Sequence, residues 1–298
     1  MNYEVIIVRY GEIALKSKET RKRFENTLVS NIRNALNSTD ISNKIKKEWG
    51  RIFVYTNQIN DSVRVLQRIF GVHSVSPCLE TSADMESISK YAVEISKDLN
   101  QKNSFAIRVN RVGNHDFSSQ DVAIKIGDVI RKATNATVDL TKPDFEFFIE
   151  VRNEKVFLFT EKIDCVAGMP FATQGSVLAI IDSLESVLAA WYLLRRGCKT
   201  IFLTEESHKE TLQSFTEKWF VKPEIISFKS KNEYYEQIMK TSNEKNCNAI
   251  VIGKKLDSTA LSDIKELKEQ VKLPVLTPLV AMGKDEINKK CKEIELSS

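Results

Sequence analysis

Cysteine is sparse and unpaired in this 298-residue chain: Cys78, Cys165, Cys198, Cys247 and Cys291 are scattered, with no Cys-x-x-Cys. An odd, dispersed set argues against a disulfide framework and for reduced thiols in a cytoplasmic protein. Histidine is scarcer. His73, His115 and His208 lie far apart with no metal-ligand spacing, so no metal site is expected. No apolar run approaches the roughly 20 residues of a membrane span, and the start, MNYEVIIVRYGE, lacks the parts of a signal peptide. No membrane partner is expected. Glycine numbers only ten, and no Gly-x-Gly loop follows a strand, which removes the usual cradle for a dinucleotide or a methyl donor. There is no internal repeat and no low-complexity segment.

What remains is an ordinary globular composition, 42% hydrophobic and 28% charged, long enough for two or three domains. The net charge of +4 is uneven. Residues 1–80 carry 13 Lys and Arg against 8 Asp and Glu, residues 81–168 carry 12 against 14, and residues 169–298 carry 19 against 18. The excess lies in the N-terminal part and points to an anionic partner there.

Periodicity divides the chain further. Tyr3–Arg9 reads as a buried strand, Thr20–Leu36 as a helix, and Lys44–Trp49 with Arg51–Thr56 as a hairpin bending at Gly50. A helix over Asp61–Phe70 capped by Gly71, then a strand over Val72–Leu79, complete a β-α-β-β-α-β order, that of a ferredoxin-like unit. A helical stripe from Met85 to Leu99, a strand Phe105–Asn110, a helix Gln120–Ala133 and a hairpin Phe145–Val151/Val156–Glu161 follow. Phe145, Phe147, Phe157 and Phe159 alternate along that hairpin and are expected in a core. Gly168-Met169-Pro170 reads as a linker. Beyond it strands and helices alternate from Ser176 to the terminal helix at Lys284, the pattern of a doubly wound parallel sheet. Such sheets bind ligands at the carboxyl ends of their strands, here the loop after Ile181.

Two stretches carry cations in a pattern suited to RNA. Lys16, Lys18, Arg21, Lys22 and Arg23 fall within eight residues at a helix start, where free N–H groups and the helix dipole favour phosphate. A solvated helix face is the alternative reading. Arg108 and Arg111 lie on or just beyond one strand, followed by a polar loop with Asn114, His115, Ser118 and Ser119. Arginine forks onto phosphate and stacks on unpaired bases. Here the alternative is pairing with Glu146 or Glu150 across the sheet. His115 is assigned no chemistry.

The run Arg9-Tyr10-Gly11-Glu12-Ile13-Ala14-Leu15-Lys16 resembles the R-Y-G-E-x-x-L-K opening of the tRNA 4-thiouridine synthetases, the ThiI family. Ser104–Pro170 resembles their THUMP domain, an RNA-binding module. Weaker similarity covers Thr173–Ile181, Ala189–Cys198, Gly253, Leu273–Leu279 and Met282–Ile287. The resemblance implies an N-terminal ferredoxin-like domain over 1–80, a THUMP domain over 81–168 and a Rossmann-like PP-loop domain over 171–298. The fold class is thus α/β with an α+β N-terminal part. The resemblance further implies binding of the single-stranded tRNA acceptor end by a homodimer, with one tRNA lying across two subunits.

That family carries S-G-G-x-D-S between the first two pieces of its third domain and binds the phosphates of ATP there. This chain reads Asp182-Ser183-Leu184-Glu185-Ser186-Val187, one residue shorter. Both glycines that let backbone N–H groups turn inward are gone. Asp182 and Glu185 add carboxylates where polyphosphate would sit, at a cost on the order of a kcal/mol or more. Ser183 and Ser186 retain hydroxyls only. The family's sulfur-carrying cysteine would fall near Lys229–Tyr235, where Lys231, Asn232 and Glu233 stand and the nearest thiol is Cys247. Cys247 is expected to be half-buried and inert at the start of a strand. The expectation is a tRNA-binding protein with a degenerate nucleotide loop, no catalytic residue and no cofactor. The alternative is an ATP-dependent tRNA uridine 4-sulfurtransferase whose divergent loop still takes ATP and Mg. A THUMP-linked methyltransferase is set aside for want of its glycine loop.

Overall fold

The computed structural model describes residues 3–228, 233–255 and 258–296. Contacts divide the chain into two units. One is formed by the segment ending at Arg9 with Leu36–Gln67 and His73–Cys165; the other by Tyr10–Ala35, Arg68–Val72 and the chain from Val166 onward.

In chain order the elements are β1 (Val5–Arg9), a 3-10 turn at Glu12–Leu15, α1 (Lys18–Ser38), β2 (Lys44–Glu48), β3 (Arg51–Tyr55), α2 (Ile59–Leu66) and β4 (Ser74–Ser82). Then come α3 (Met85–Ile95), β5 (Ser104–Val112), α4 (Ser119–Thr134), β6 (Thr137–Val138), β7 (Phe145–Arg152), β8 (Lys155–Phe159) and β9 (Ile163–Asp164). These nine strands form one sheet in the order β2-β3-β1-β4-β8-β7-β5-β6, with β9 on β4. β1 lies between β3 and β4, which is why its Val-Ile-Ile-Val run is buried throughout. β4 joins the ferredoxin-like strands to the THUMP strands without a break. Its Ser74 and Val75 pair β9, while Leu79–Ser82 pair β8. Pro77, which has no N–H to give, stands between the two ladders where the partner changes.

The sheet folds over on itself. Phe53 on β3 and Phe157 on β8 are three strands apart, about 14 Å in a flat sheet at the usual spacing. Their rings nevertheless stack at 4.5 Å. The enclosed face holds Val5, Ile7, Phe53, Cys78, Phe157 and Phe159. The opposite face of the THUMP strands packs Phe105, Phe147, Ile149 and Val151 against Ile88, Ala92, Val122 and Ile126 of α3 and α4. Of the four phenylalanines expected in the core, Phe147, Phe157 and Phe159 are buried. Phe145 is not: it opens β7 at the open end of the sheet and is 41% exposed.

The second unit contains β10 (Ser176–Ile181), α5 (Leu184–Arg195), β11 (Lys199–Glu205), α6 (Lys209–Lys218), β12 (Ile225–Phe228), α7 (Tyr234–Glu244), β13 (Ala249–Val251), α8 (Ser258–Gln270), β14 (Val275–Leu276) and α9 (Lys284–Glu293). Its five strands are all parallel, in the order β12-β11-β10-β13-β14. Two apolar clusters cover its faces, one containing Val187, Leu188, Trp191, Leu212 and Ile287, the other Ile238, Leu267 and Val271. The order reverses at β10, so the crevice beyond Ile181 and Val251 is the topological switch point where such sheets take ligands. No helix among the described residues is long and apolar enough to cross a membrane.

Candidate nucleic-acid interface and nucleotide loop

Arg108 lies on the β5 face that alternation assigns to even-numbered residues, beside Phe148 on β7. Its Nε donates to Glu146 Oε1 at 2.7 Å and its Nη2 to the Leu140 carbonyl at 3.0 Å. Of the two carboxylates proposed for it, Glu146 is the partner. Arg108, Lys142, Phe148 and Lys162 share a cavity of about 930 Å³ with Asp144, Glu146 and Glu161. Lys162 Nζ stands 3.9 Å over the Phe148 ring, Phe148 stacks on Phe159 at 5.1 Å, and Arg9 lies 4.9 Å over Phe159. A two-ring stack thus carries a cation at each end. Burial lowers the Lys162 ammonium pKa, helped by nearby Arg9, and brings that of Arg9 down to about 10. At about 10, Arg9 remains cationic at neutral pH. Lys142, Phe148 and Lys162 are not singled out by the sequence: the parallel β5–β7 register sets Phe148 beside Arg108, and no local pattern encodes it.

Arg111 departs from the expected pairing with Arg108. Three residues on, it falls on the opposite face of the strand. Its Nη1 lies 3.4 Å from the Gly113 carbonyl and 3.4 Å from His115 Nδ1. His115 Nε2 meets the Asn153 carbonyl at 2.6 Å, pinning the loop to the β7–β8 turn. Gly113, at φ +108, is required here, since a Cβ would lie 2.7 Å from Asn153 Oδ1. Asn114 borders a separate cavity of about 610 Å³ whose charged neighbours are Asp84, Asp116 and Glu154, a poor setting for phosphate. Ser118 is the N-cap of α4: its Oγ accepts from Asp121 N while Asp121 Oδ2 accepts from Ser118 N.

At the start of α1, Lys16, Lys18, Lys22 and Arg23 are exposed. Arg21 is half-buried, and its Nη2 donates to the Ala14 carbonyl at 2.6 Å and the Lys16 carbonyl at 3.3 Å. It locks the preceding turn onto the helix, leaving the neighbouring cations to face solvent.

The nucleotide loop is closed by its own hydroxyls. Ser186 is 1% exposed, and its Oγ accepts from Asp182 N and Ser183 N, both at 3.0 Å, while donating to the Ser183 carbonyl at 2.6 Å. Ser186 N in turn donates to Ser183 Oγ at 3.3 Å, and Ser183 Oγ to Asp182 Oδ1 at 3.0 Å. Three N–H groups of the turn, those of Asp182, Ser183 and Ser186, which a phosphate cradle would present outward, are thereby satisfied within the loop. Behind it, a Cβ on Gly253 would lie 2.3 Å from Ser186 N and Cα, so the end of β13 passes hard against the start of α5. Tyr234 is packed against Phe228 at 5.7 Å; burial raises its phenol pKa, with added repulsion from Asp182, Asp263 and Glu266.

Lys231 and Asn232 lie outside the described residues; Glu233 directly precedes α7. Cys247 is buried rather than half-buried and lies two residues before the start of β13. Burial pushes all five thiols upward, Cys165 to about 12 and Cys78 well above its ordinary value. None is held as a thiolate at neutral pH. Among the described residues no cluster of three or more His, Cys, Asp or Glu is placed to hold a metal ion.

Three families match successive parts of the chain: ThiI ferredoxin-like domain over residues 5–76, THUMP domain over 82–161, and Thiamine biosynthesis protein (ThiI) over 207–297. The Asp182–Ser186 loop lies between the second and third matches. A probable tRNA sulfurtransferase of Methanobrevibacter smithii is 32% identical over 99% of this chain and 87% of its own length. Another, from Methanothermobacter thermautotrophicus, is 30% identical over 99% and 85%. Among solved structures, PH1313 from Pyrococcus horikoshii superposes with a TM-score of 0.84 at 28% identity, covering 98% of this chain and 99% of that one. A 4-thiouridine synthetase solved with RNA and ATP superposes at 0.81 and 26% identity, covering 98% and 85%. With the ferredoxin-like, THUMP and parallel-sheet parts in the family's order and relatives matching nearly end to end, the chain belongs to the ThiI family of tRNA sulfurtransferases.

Proposed function

We propose that this chain binds the single-stranded acceptor end of tRNA in the setting of thiouridine formation, without itself adenylating the tRNA or transferring sulfur. The observation that carries the second half is the Ser186 hydroxyl, which takes up the Asp182 and Ser183 N–H groups where the turn would otherwise grip a phosphate. The carboxylates of Asp182 and Glu185 and the upward-shifted thiols support the same reading. RNA binding is supported by the THUMP match and by the solved relative with bound RNA, and the cavity beside Arg108, Lys142 and Lys162 supplies cations next to an aromatic ring. We further propose a homodimer, which light scattering at micromolar concentration would report as about twice 34.0 kDa; a monomer mass would remove it.

The competing reading is an active sulfurtransferase that binds ATP and Mg through the divergent loop. It is favoured by relatives bearing that name over nearly their whole length, and by a solved relative with bound ATP. ATP–pyrophosphate exchange in the presence of tRNA separates the two. No exchange above background is expected; tRNA-dependent exchange would reinstate the enzyme.

A further inference from the structure

The β2–β3 hairpin tip, Glu48-Trp49-Gly50-Arg51, has no part in the cavity beside Arg108. Trp49 is 72% exposed, whereas Trp191 and Trp219 are 5% and 8% exposed. An indole left in water forgoes burial of about 200 Å². The tip beneath it is firmly held. Gly50 turns at φ +75, Arg152 Nη1 donates to the Trp49 carbonyl at 3.0 Å, and Arg51 Nη1 to the Gly50 carbonyl at 2.8 Å. Both guanidiniums meet on Glu150, at 2.6 Å for Arg152 Nε and 2.9 Å for Arg51 Nε. Arg152 and Glu150 are buried, so a desolvated ion network secures the turn that displays the ring.

The strand leading to the tip is cationic. β2 is an edge strand of the sheet, and Lys44, Lys46 and Lys47 on it are exposed, Lys44 and Lys46 on one face, with Lys46 Nζ 5.0 Å over the Tyr55 ring, and Lys47 on the other. Lysines on a sheet edge are accounted for by their guarding against strand addition. A protruding tryptophan at the end of that edge is not, because it adds the apolar surface that guarding removes. A rigid aromatic face beside a positively charged sheet edge is instead the arrangement by which proteins hold single-stranded nucleic acid, one base on the ring and its phosphates on the cations. The charge complements a polyanion and disfavours a basic partner.

We propose that Trp49 is a stacking platform for an unpaired nucleobase, with the lysines of β2 taking the flanking phosphates. This second RNA contact rests on the RNA-binding reading above and lies outside the acceptor-end cavity. The full-length chain, W49F and W49A are titrated with tRNA and with a single-stranded oligouridylate of about 12 nucleotides, following tryptophan emission and gel mobility. Trp49 is the exposed one of the three, so its emission is separable by acrylamide quenching. Saturable quenching of that component is expected in the wild type and absent from W49A. Binding should weaken about tenfold in W49A, with most of it retained in W49F. An unchanged thermal midpoint shows that the hairpin survives. If wild type and W49A bind tRNA alike and the exposed emission does not respond, the platform is overturned while RNA binding stands, leaving a protein surface for Trp49. If the wild type binds neither nucleic acid, both readings fall.

Discussion

A guanidinium that is to meet a phosphate must first be shared with, or released from, the carboxylate beside it. Arg108 illustrates this: both it and Glu146 are about 40% exposed, and such half-exposed pairs hold together by roughly 1 kcal/mol or less. Glu146 therefore orients Arg108 in the free protein and competes with RNA for it. Replacing Arg108 with Ala should weaken tRNA binding about tenfold, the loss of one charge-assisted contact. Glu146→Gln should tighten it by up to about fivefold, because the competing charge goes while an acceptor stays. A gel shift on both variants checks the pair; equal affinities for wild type and E146Q would mean Arg108 does not reach the RNA. Arg111→Ala should change binding less, since that side chain points to the other face and lies against Gly113 and His115. The sequence places the two arginines three apart on one strand, and strict alternation separates them. Their partners across β7 depend on a parallel register that no local pattern encodes.

Elements were legible where their ends carry side-chain chemistry. The apolar stripes of α3 and α4 and the turn at Gly50 are written in spacing and residue type, and the structure has them within a few residues. The two-residue strands β6 and β9 had no such signal, because their pairing to β5 and β4 is decided by distant chain. The acids that make residues 81–168 net negative have a related explanation: several are spent on turns. Asp84 caps α3, accepting from Ser87 N and the Ser82 hydroxyl, which bring its carboxyl down to about 2 from 3.8. Hydrogen bonds likewise lower Asp121 at the start of α4, Asp139 and Asp144. A carboxylate whose pKa falls on folding stabilises the native state above its unfolded value and loses that contribution as pH drops through the folded one. Stability should therefore decline between about pH 4 and pH 2, where these groups take up protons. Asp84→Asn keeps a good N-cap that does not titrate. Thermal unfolding of D84N across that window should show a shallower fall than wild type, and identical slopes would deny Asp84 the role.

At the scale of the molecule, two features escape any reading of the sequence by segments. The ferredoxin-like and THUMP strands form a single sheet through β4, and that sheet closes over Phe53 and Phe157, contacts more than a hundred positions apart. The nucleotide loop was legible as a substitution of residue types; that Ser186 would turn inward and satisfy the turn was not, since it depends on α5 continuing directly from the loop. Charge distribution, by contrast, transfers directly to the folded chain. The N-terminal excess of +5 over residues 1–80 includes Lys16, Lys18 and Lys22, exposed beside Arg21, which is itself committed to the Ala14 and Lys16 carbonyls. If those lysines meet phosphates, each releases counterions on binding, and log K falls linearly with log salt in proportion to the number of contacts. Replacing all three with Ala should flatten that slope by about 3, close to one per lysine, and weaken binding to different tRNAs uniformly. Arg21→Ala should act differently, loosening the turn before α1 and lowering the thermal midpoint. Fluorescence titrations at several salt concentrations measure the slope; one unchanged in the triple variant would return Lys16–Arg23 to the status of a solvated helix face.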